Sequence, residues 1–270
     1  MNRPAFVFAF SIFSMLALIT VSSHAATCKD GVQADSGTKT VSIAELYTSE
    51  GCDSCPPADK WFSTLSVQKD GVVPLAFHVD YWDYIGWKDR FANAAFSERQ
   101  RESVRRQGGR TSYTPQIMVN GQDQRFWSDA SRFGSSLKNI AARTPRANLA
   151  LEFVASTAGL DAGLTATLPQ IADRADAAVF FAVTESNLSS RVTAGENRGA
   201  TLRHDHVVRA IFGPLSGEAK DRAEGKLVVR RPITIEPNWK RGDLSLVAFV
   251  QNLRTGEIYQ ALSAPVCANP

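Results

Sequence analysis

The sequence has few of the residues that bind metals, with four cysteines and four histidines among 270 residues. Two of the cysteines, Cys52 and Cys55, form a single Cys-x-x-Cys pair. A zinc site built from four thiolates needs a second pair of this kind. Because the chain has no second Cys-x-x-Cys, the sequence excludes that class of zinc site.

Strong net charge is also lacking. The formal net charge is +3, and 44% of residues are hydrophobic against 21% charged, as in an ordinary globular protein. A charge this small does not indicate binding to nucleic acid or to an acidic membrane. We therefore expect no nucleic-acid partner, and we interpret the arginines of the segment 88–107 as a solvated helix face.

Long apolar runs are absent except at the N-terminus. Residues 5–21 are almost wholly apolar, follow Arg3, and precede the small-x-small sequence Ser23-His24-Ala25. This run is shorter than the ~20 residues of a membrane-spanning helix. The pattern predicts a signal peptide over residues 1–25 and export to the periplasm or outside the cell, with no membrane attachment after cleavage. The alternative is an uncleaved N-terminal anchor.

The two remaining cysteines lie near the ends of the exported chain. Export permits disulfides, and the termini of compact chains are often close together. We therefore predict a structural disulfide between Cys28 and Cys267. The alternative is two free thiols or an intermolecular bond.

The stretch from residue 40 to residue 57, TVSIAELYTSEGCDSCPP, carries the clearest chemical signal. It predicts a strand, a turn and a Cys-x-x-Cys at a helix N-terminus, where the partial positive charge stabilises a thiolate. Cys52 is the candidate nucleophile, expected to be the more exposed of the pair, and Cys55 the candidate resolving thiol. Glu50 and Asp53 are expected to raise the pKa of Cys52. The alternative is a static disulfide.

Apolar periodicity predicts the elements that follow. The segments 52–67, 88–107 and 129–142 are predicted to be helices, and the segment 72–79 a buried strand. A strand after Pro115 continues through an Asn120-Gly121 hairpin turn into a second strand over 122–126. From residue 146 the pattern changes to short strands, at 149–155, 160–168, 177–184, 226–235, 244–252 and 258–265.

The order β-α-β-α-β-β-α around Cys-x-x-Cys resembles the thioredoxin superfamily. The strings ELYTSEGCDSCPPAD and AFHVDYWDYIGWKD more specifically resemble domain-of-unknown-function family 1223, a family of exported proteins. The resemblance implies an α/β thioredoxin-like domain over residues 40–145, after a short N-terminal arm over 26–39. The pattern of strands predicts a mostly β sandwich domain over 146–270.

The thioredoxin resemblance also implies roles for three residues outside the cysteine pair. Pro115 would form a cis peptide bond with Thr114 beside the cysteines, and the Thr114 backbone would hold a substrate strand. The alternative is an ordinary trans-proline turn. Glu45, on the strand that enters the motif, would handle protons for Cys55, with a solvent-facing glutamate as the alternative.

Two further groups have both a functional and a structural interpretation. The aromatic loop that contains Trp82, Tyr84 and Trp87 either walls a substrate groove or packs between the domains. His204 and His206 would share one face of an extended segment, which makes them weak candidates for metal ligands. We favour two hydrogen-bonded structural histidines and predict no metal site.

Together these observations predict an exported thiol–disulfide oxidoreductase that exchanges disulfides with protein substrates. Its partners would be protein thiols and disulfides and a protein that recycles its redox state, and no cofactor is expected. The alternatives are a non-enzymatic binding or copper-handling module and a redox-silent scaffold. No oligomeric state is predicted.

Overall fold

A computed structural model describes residues 31–267 of the chain. The predicted signal peptide and Cys28 lie outside these residues. Cys267 is disulfide-bonded, and its pairing with Cys28 stays a prediction. Between residues 31 and 267 no helix is both long and apolar enough to cross a membrane.

The described residues form fourteen strands and five α-helices. The strands are β1 (Val32–Asp35), β2 (Ser42–Thr48), β3 (Val72–His78), β4 (Gln116–Val119), β5 (Gln122–Asp123), β6 (Asn148–Ala155), β7 (Gly159–Thr167), β8 (Ala177–Glu185), β9 (Leu188–Arg191), β10 (Thr201–His204), β11 (Val207–Leu215), β12 (Lys226–Thr234), β13 (Leu244–Asn252) and β14 (Ile258–Pro265). The helices are α1 (Pro56–Phe62), α2 (Val67–Asp70), α3 (Ala94–Arg106), α4 (Ala130–Ala141) and α5 (Ala219–Ala223).

One eight-stranded mixed sheet organises the molecule, with the order β14-β13-β8-β11-β3-β2-β4-β5. Strand β3 is parallel to β2 and to β11, and the other neighbouring pairs are antiparallel. A four-stranded antiparallel sheet, β1-β6-β7-β12, and the two-stranded β9–β10 ribbon complete the strands. Strand β1 lies within the segment predicted to be an N-terminal arm.

The four-stranded sheet packs face to face on β8, β13 and β14. Alternate residues of each strand enter the shared core, including Phe153 from the small sheet and Phe181 from the large one. Period-two alternation makes this possible, because successive side chains of a strand point to opposite faces. This end of the molecule is thus a β-sandwich with an apolar centre.

Helices cover the end of the large sheet that contains β2, β3 and β4. On one face, Ala44 and Leu46 pack under α1 and α4, and on the other face Ile43 and Tyr47 pack near Phe96 of α3. The helix starts follow local chemistry: Asn93 and Asp129 cap α3 and α4 by accepting backbone N–H groups.

The predicted fold class is wrong. An α/β thioredoxin-like domain followed by a separate sandwich does not describe this protein, which is mostly β, with 39% of residues in strands and 21% in helices. The large sheet combines strands from residues 42–123 with strands from residues 177–265.

The reason for the error is strand β11, which the sequence does not signal. It pairs with β8 on one side and adjoins β3 through Val207 and Ala76 on the other, so it joins the two halves into one sheet. Arg209, Gly213 and Pro214 interrupt its apolar pattern, and the ladder has register shifts at two places. Glycine and proline inside a run argue against a strand when only the sequence is read.

Candidate functional site

The Cys-x-x-Cys motif follows β2 and begins α1. Cys52 and Cys55 are joined by a disulfide with their α-carbons 5.5 Å apart, and Pro56 and Pro57 begin the helix. Proline suits this position because the first helical N–H groups have no intrahelical partner. Both cysteines are completely buried. Cys52 is therefore not the exposed residue that the sequence predicts.

Two segments cover the disulfide. The first is the aromatic loop, whose Trp82 and Ile85 lie so close to Gly51 that a Cβ there would be 3.2 Å from each. The second is the turn that contains Asn197, whose side-chain amide donates 2.9 Å hydrogen bonds to the carbonyl oxygens of Glu50 and Cys52. A thiol from outside can reach the disulfide only if this cover moves.

The structure places two of the three predicted groove residues beside the motif. Trp82 Nε1 donates to Thr114 Oγ1 at 2.7 Å, and Trp87 Nε1 donates to Glu50 Oε2 at 2.8 Å. Tyr84 instead points to solvent and is 82% exposed. The Thr114–Pro115 peptide bond is cis. Trp82 thus connects Thr114 to the turn that carries Cys52.

Glu45 lies on the face of β2 away from α1. Alternation along the strand puts it with Ile43 and Tyr47 on the α3 side. Its Oε1 lies 2.6 Å from Nη2 of Arg99, in an ion pair that is almost fully buried. The structure does not bring Glu45 to the cysteines, and a pairing with Arg99 explains its burial.

Five buried ionisable side chains lie behind the motif, and we call them the buried ionisable cluster. They are Glu50, Asp59, His78, Asp89 and His204. They come from the Cys-x-x-Cys turn, α1, the end of β3, the loop before α3 and the end of β10. Charged groups are seldom buried without a reason, because desolvation disfavours them strongly.

Short contacts connect the members of this cluster. His78 Nδ1 lies 2.6 Å from Asp89 Oδ2, and the same oxygen accepts the Glu50 backbone N–H at 2.9 Å. His204 Nε2 lies 3.2 Å from Glu50 Oε1. The two imidazole rings pack edge to face with centroids 4.9 Å apart. Hydrogen bonds therefore connect Glu50, two residues before the motif, to both histidines: its backbone N–H reaches His78 through Asp89, and its carboxylate contacts His204 directly.

The surroundings shift the pKa values of these groups in opposite directions. Burial disfavours both charged partners, but their mutual attraction outweighs it, so the pKa of His78 is raised and that of Asp89 is lowered. Burial likewise opposes ionised Glu50, but hydrogen bonds from His204 and Trp87 help to hold its pKa below the ordinary value. His204 and Trp87 thus bind the carboxylate that was expected to act on Cys52.

Asp59 differs from Glu50 and Asp89, the other acids of the buried ionisable cluster, because burial outweighs the favourable contacts of its carboxylate and raises its pKa. The backbone N–H of Asp59 donates to the carbonyl oxygen of Cys55 at 3.0 Å. The two residues are four apart in the sequence, a spacing that puts residues on the same face of a helix. Thr48 Oγ1 donates to Asp59 Oδ2 at 3.1 Å. The structure therefore places a carboxyl group with a raised pKa one helical turn after Cys55.

The two histidines of the buried ionisable cluster each keep one unpaired nitrogen. His78 Nε2 and His204 Nδ1 are buried and have no hydrogen-bond partner among residues 31–267. Within the same range no three His, Cys, Asp or Glu side chains are arranged to hold a metal ion. His206 does not join His204, since its ring packs near Phe62. The predicted pair of metal candidates is thus not brought together.

Sequence reasoning missed Asp59, Asp89 and the role of His204. These residues are far apart in the chain and form no local motif, so only the fold brings them together. The available signal was the set of polar residues at strand ends, with His78 closing β3 and His204 closing β10. Chemistry often lies where such ends converge.

Two solved structures resemble this fold. One is the X-ray crystal structure of a protein from Agrobacterium tumefaciens, 24% identical, with a TM-score of 0.60 over 85% of this chain and 96% of that one. The other is HBP35 of Porphyromonas gingivalis, 16% identical, with a TM-score of 0.63 over 86% of this chain and 77% of that one. At these identities the likeness concerns the fold alone.

No curated protein matches the chain. The model of one family, described as "Protein of unknown function (DUF1223)", matches residues 43–251. That range includes the Cys-x-x-Cys motif, the aromatic loop and every member of the buried ionisable cluster. The match covers most of the chain, and this protein therefore belongs to the DUF1223 family.

Proposed function

We propose that this protein is an exported thiol–disulfide oxidoreductase that uses Cys52 and Cys55. The observation that carries the proposal is the disulfide at the start of α1 with the protonatable Asp59 one turn further on. A disulfide that only stabilises the chain needs no proton donor. A disulfide that opens and closes needs one, because its leaving thiolate must gain a proton.

The oxidised form would react in two balanced steps. A substrate thiolate attacks Cys52 Sγ, the Cys52–Cys55 bond breaks, and Cys55 leaves as a thiolate that takes a proton from Asp59. A second substrate thiolate then attacks the substrate sulfur of the mixed disulfide and releases Cys52, which takes up a proton. The two substrate thiols release one proton each when they ionise, and one of these protons restores Asp59 while the other reaches Cys52. The cysteine pair thus gains two protons and the two electrons that the substrate loses. The reverse sequence reduces a substrate disulfide.

Burial of the pair limits the substrates that this mechanism admits. The Asn197 turn and the aromatic loop leave neither cysteine exposed. We propose that these segments open, and that the partners are extended protein segments with thiols or disulfides together with a recycling thiol protein. Export supports this reaction, because oxidising compartments allow disulfides to form and persist. The apolar residues 5–21 support export.

Complete burial also favours a second candidate function, a structural disulfide that never opens. Thiol trapping across glutathione and dithiothreitol buffers would separate the two by measuring the reduction potential of the pair. A potential of roughly −120 to −270 mV is expected for exchange. A potential below about −300 mV would contradict the proposal and support a structural bond.

A further inference from the structure

A polar cavity lies next to the buried ionisable cluster, with a shared wall at Phe91. The Phe91 ring packs edge to face on His78 and His204, with centroids 5.2 and 5.7 Å away. It also lines a cavity of about 370 Å³ together with Arg90, Glu185, Arg209 and Lys240. Neither cysteine lines this cavity, so the proposed redox chemistry does not account for it.

The cavity holds more positive than negative charge. Arg209 pairs with the fully buried Glu185 at 2.7 Å. Arg90 and Lys240 have no carboxylate within ion-pair distance among the residues that the structure describes. Three cations and one carboxylate therefore leave two positive charges unbalanced on the cavity wall.

The two arginine side chains and the backbone of Lys240 are held in position. The Arg209 guanidinium lies 5.3 Å from the Phe91 ring centroid and 5.2 Å from that of Trp239, and Arg90 lies 4.6 Å from Phe91. Arg90 Nη2 also donates to the Ser189 carbonyl at 2.8 Å. Glu185 Oε1 accepts the Lys240 backbone N–H at 2.9 Å. Arginines fixed in this way present their planar donors with little further loss of entropy.

The electrostatics of Arg209 agree with an excess of positive charge. Burial lowers the pKa of Arg209 from its ordinary value, and the nearby Arg90 adds to the effect, although Glu185 opposes it. A bound anion would favour the charged form of Arg209 and offset the repulsion from Arg90, because it supplies negative charge where the protein supplies one carboxylate only.

We propose that this cavity binds a small dianion, either a phosphate group or a pair of carboxylates. Two unbalanced charges match a double negative charge, and guanidinium forks match the planar oxygen pairs of both groups. The volume admits a small ligand and not a protein segment. The site is separate from the cysteine pair, so the proposal stands or falls independently of thiol exchange.

The test is isothermal titration calorimetry on the oxidised mature protein, with inorganic phosphate and with succinate in separate titrations at matched ionic strength. Binding of either probe is expected, and the tighter one identifies the ligand class. Arg90→Gln and Lys240→Gln should each weaken binding at least tenfold. Both side chains are exposed, so the variants should keep the wild-type melting temperature.

Arg125→Gln is the matched control, because Arg125 is 75% exposed and lies outside the cavity. It should change the affinity less than twofold. The proposal is overturned if neither probe binds at millimolar concentration. It is also overturned if Arg125→Gln weakens binding as much as Arg90→Gln does, which would indicate non-specific attraction to a positive surface.

Discussion

The two ends of the large sheet use opposite chemistry. Around β8, β13 and β14 the sheet packs on the four-stranded sheet through apolar side chains such as Phe181, and its other face buries further apolar side chains such as Phe249. Where β2 and β3 end, beside β10 of the two-stranded ribbon, the protein buries carboxylates and imidazoles. Apolar burial is the main source of stability, whereas buried charges are costly even when paired. Both ends therefore have apolar cores, but only the end around β2 and β3 also accepts the cost of burying a cluster of ionisable groups.

The largest expected effect comes from the apolar end. Phe181→Ala removes a fully buried ring from the sandwich core and should lower the free energy of unfolding by about 4 kcal/mol. Urea denaturation measures this change. The reactivity of the cysteine pair in the folded fraction should stay the same. Phe126→Ala is the control, because Phe126 is 61% exposed, and its loss should change stability by less than about 0.5 kcal/mol.

At the charged end, His78→Gln should cost about 3 kcal/mol, because it leaves Asp89 buried without its partner. The effect should depend on pH. The raised pKa of His78 means that the folded state holds this proton more tightly than the unfolded state does. Its contribution is therefore complete below pH 6.5 and is lost as the pH rises through the folded-state pKa.

Unfolding measured at a series of pH values above 6.5 checks this sign. The wild type should lose stability across that window, and His78→Gln should not show this loss. The double variant His78→Gln with Asp89→Asn should be less destabilised than the sum of the single variants, since no charge is left unpaired. Additive losses would show that the two side chains do not act as a pair.

Within the charged end, a kinetic comparison of two buried acids distinguishes the face of β2 that carries α1 from the face that carries α3. Asp59→Asn keeps the shape of the side chain but removes its proton, so exchange with a model dithiol should slow at least tenfold at neutral pH. Stopped-flow measurement of thiol release provides the rate. Glu45→Gln, on the opposite face of β2, should change the rate less than threefold once circular dichroism confirms folding. Equal rates for Asp59→Asn and the wild type would remove Asp59 from the mechanism.

The smallest expected effect concerns the cover over the disulfide. Asn197→Ala removes two hydrogen bonds that hold its turn against the motif, so dithiothreitol should reduce the pair a few times faster. Asn139→Ala, on the exposed side of α4, is the control and should leave the rate unchanged. A slower reduction in Asn197→Ala would mean that this turn does not restrict access.

Local patterns in the sequence predict much of the secondary structure. Alternation or continuous apolar runs identify β2, β3, β6 and β7, and Asn120-Gly121 forms the predicted turn with both residues at positive φ. The prediction over 88–107 places the start of α3 too early, since the chain before Ala94 is a loop that ends in the Asn93 cap. The arrangement of strands could not be predicted, because β11, which lies between β3 and β8 in the described sheet, carries no clear pattern.

The site is predictable only where its residues are neighbours in sequence. The local sequence predicts a cysteine pair at a helix start from Cys52, Cys55 and the prolines after them, and it predicts a strand directly after Pro115. The contact between Glu50 and His204 instead depends on the long segment that contains β10 folding back over the motif. No periodicity encodes such a contact, because it is a property of how distant strands end at one place.

Thiol–disulfide exchange at this site requires that the buried disulfide opens and reacts through Cys52. The most direct measurement is trapping of a mixed disulfide in Cys55→Ser, incubated with a disulfide-containing peptide and analysed by intact mass spectrometry. We expect a stable adduct on Cys52 that forms at least tenfold faster than any adduct in the matched Cys52→Ser variant. If both variants fold and neither forms an adduct, the disulfide is structural and the account of the site is wrong.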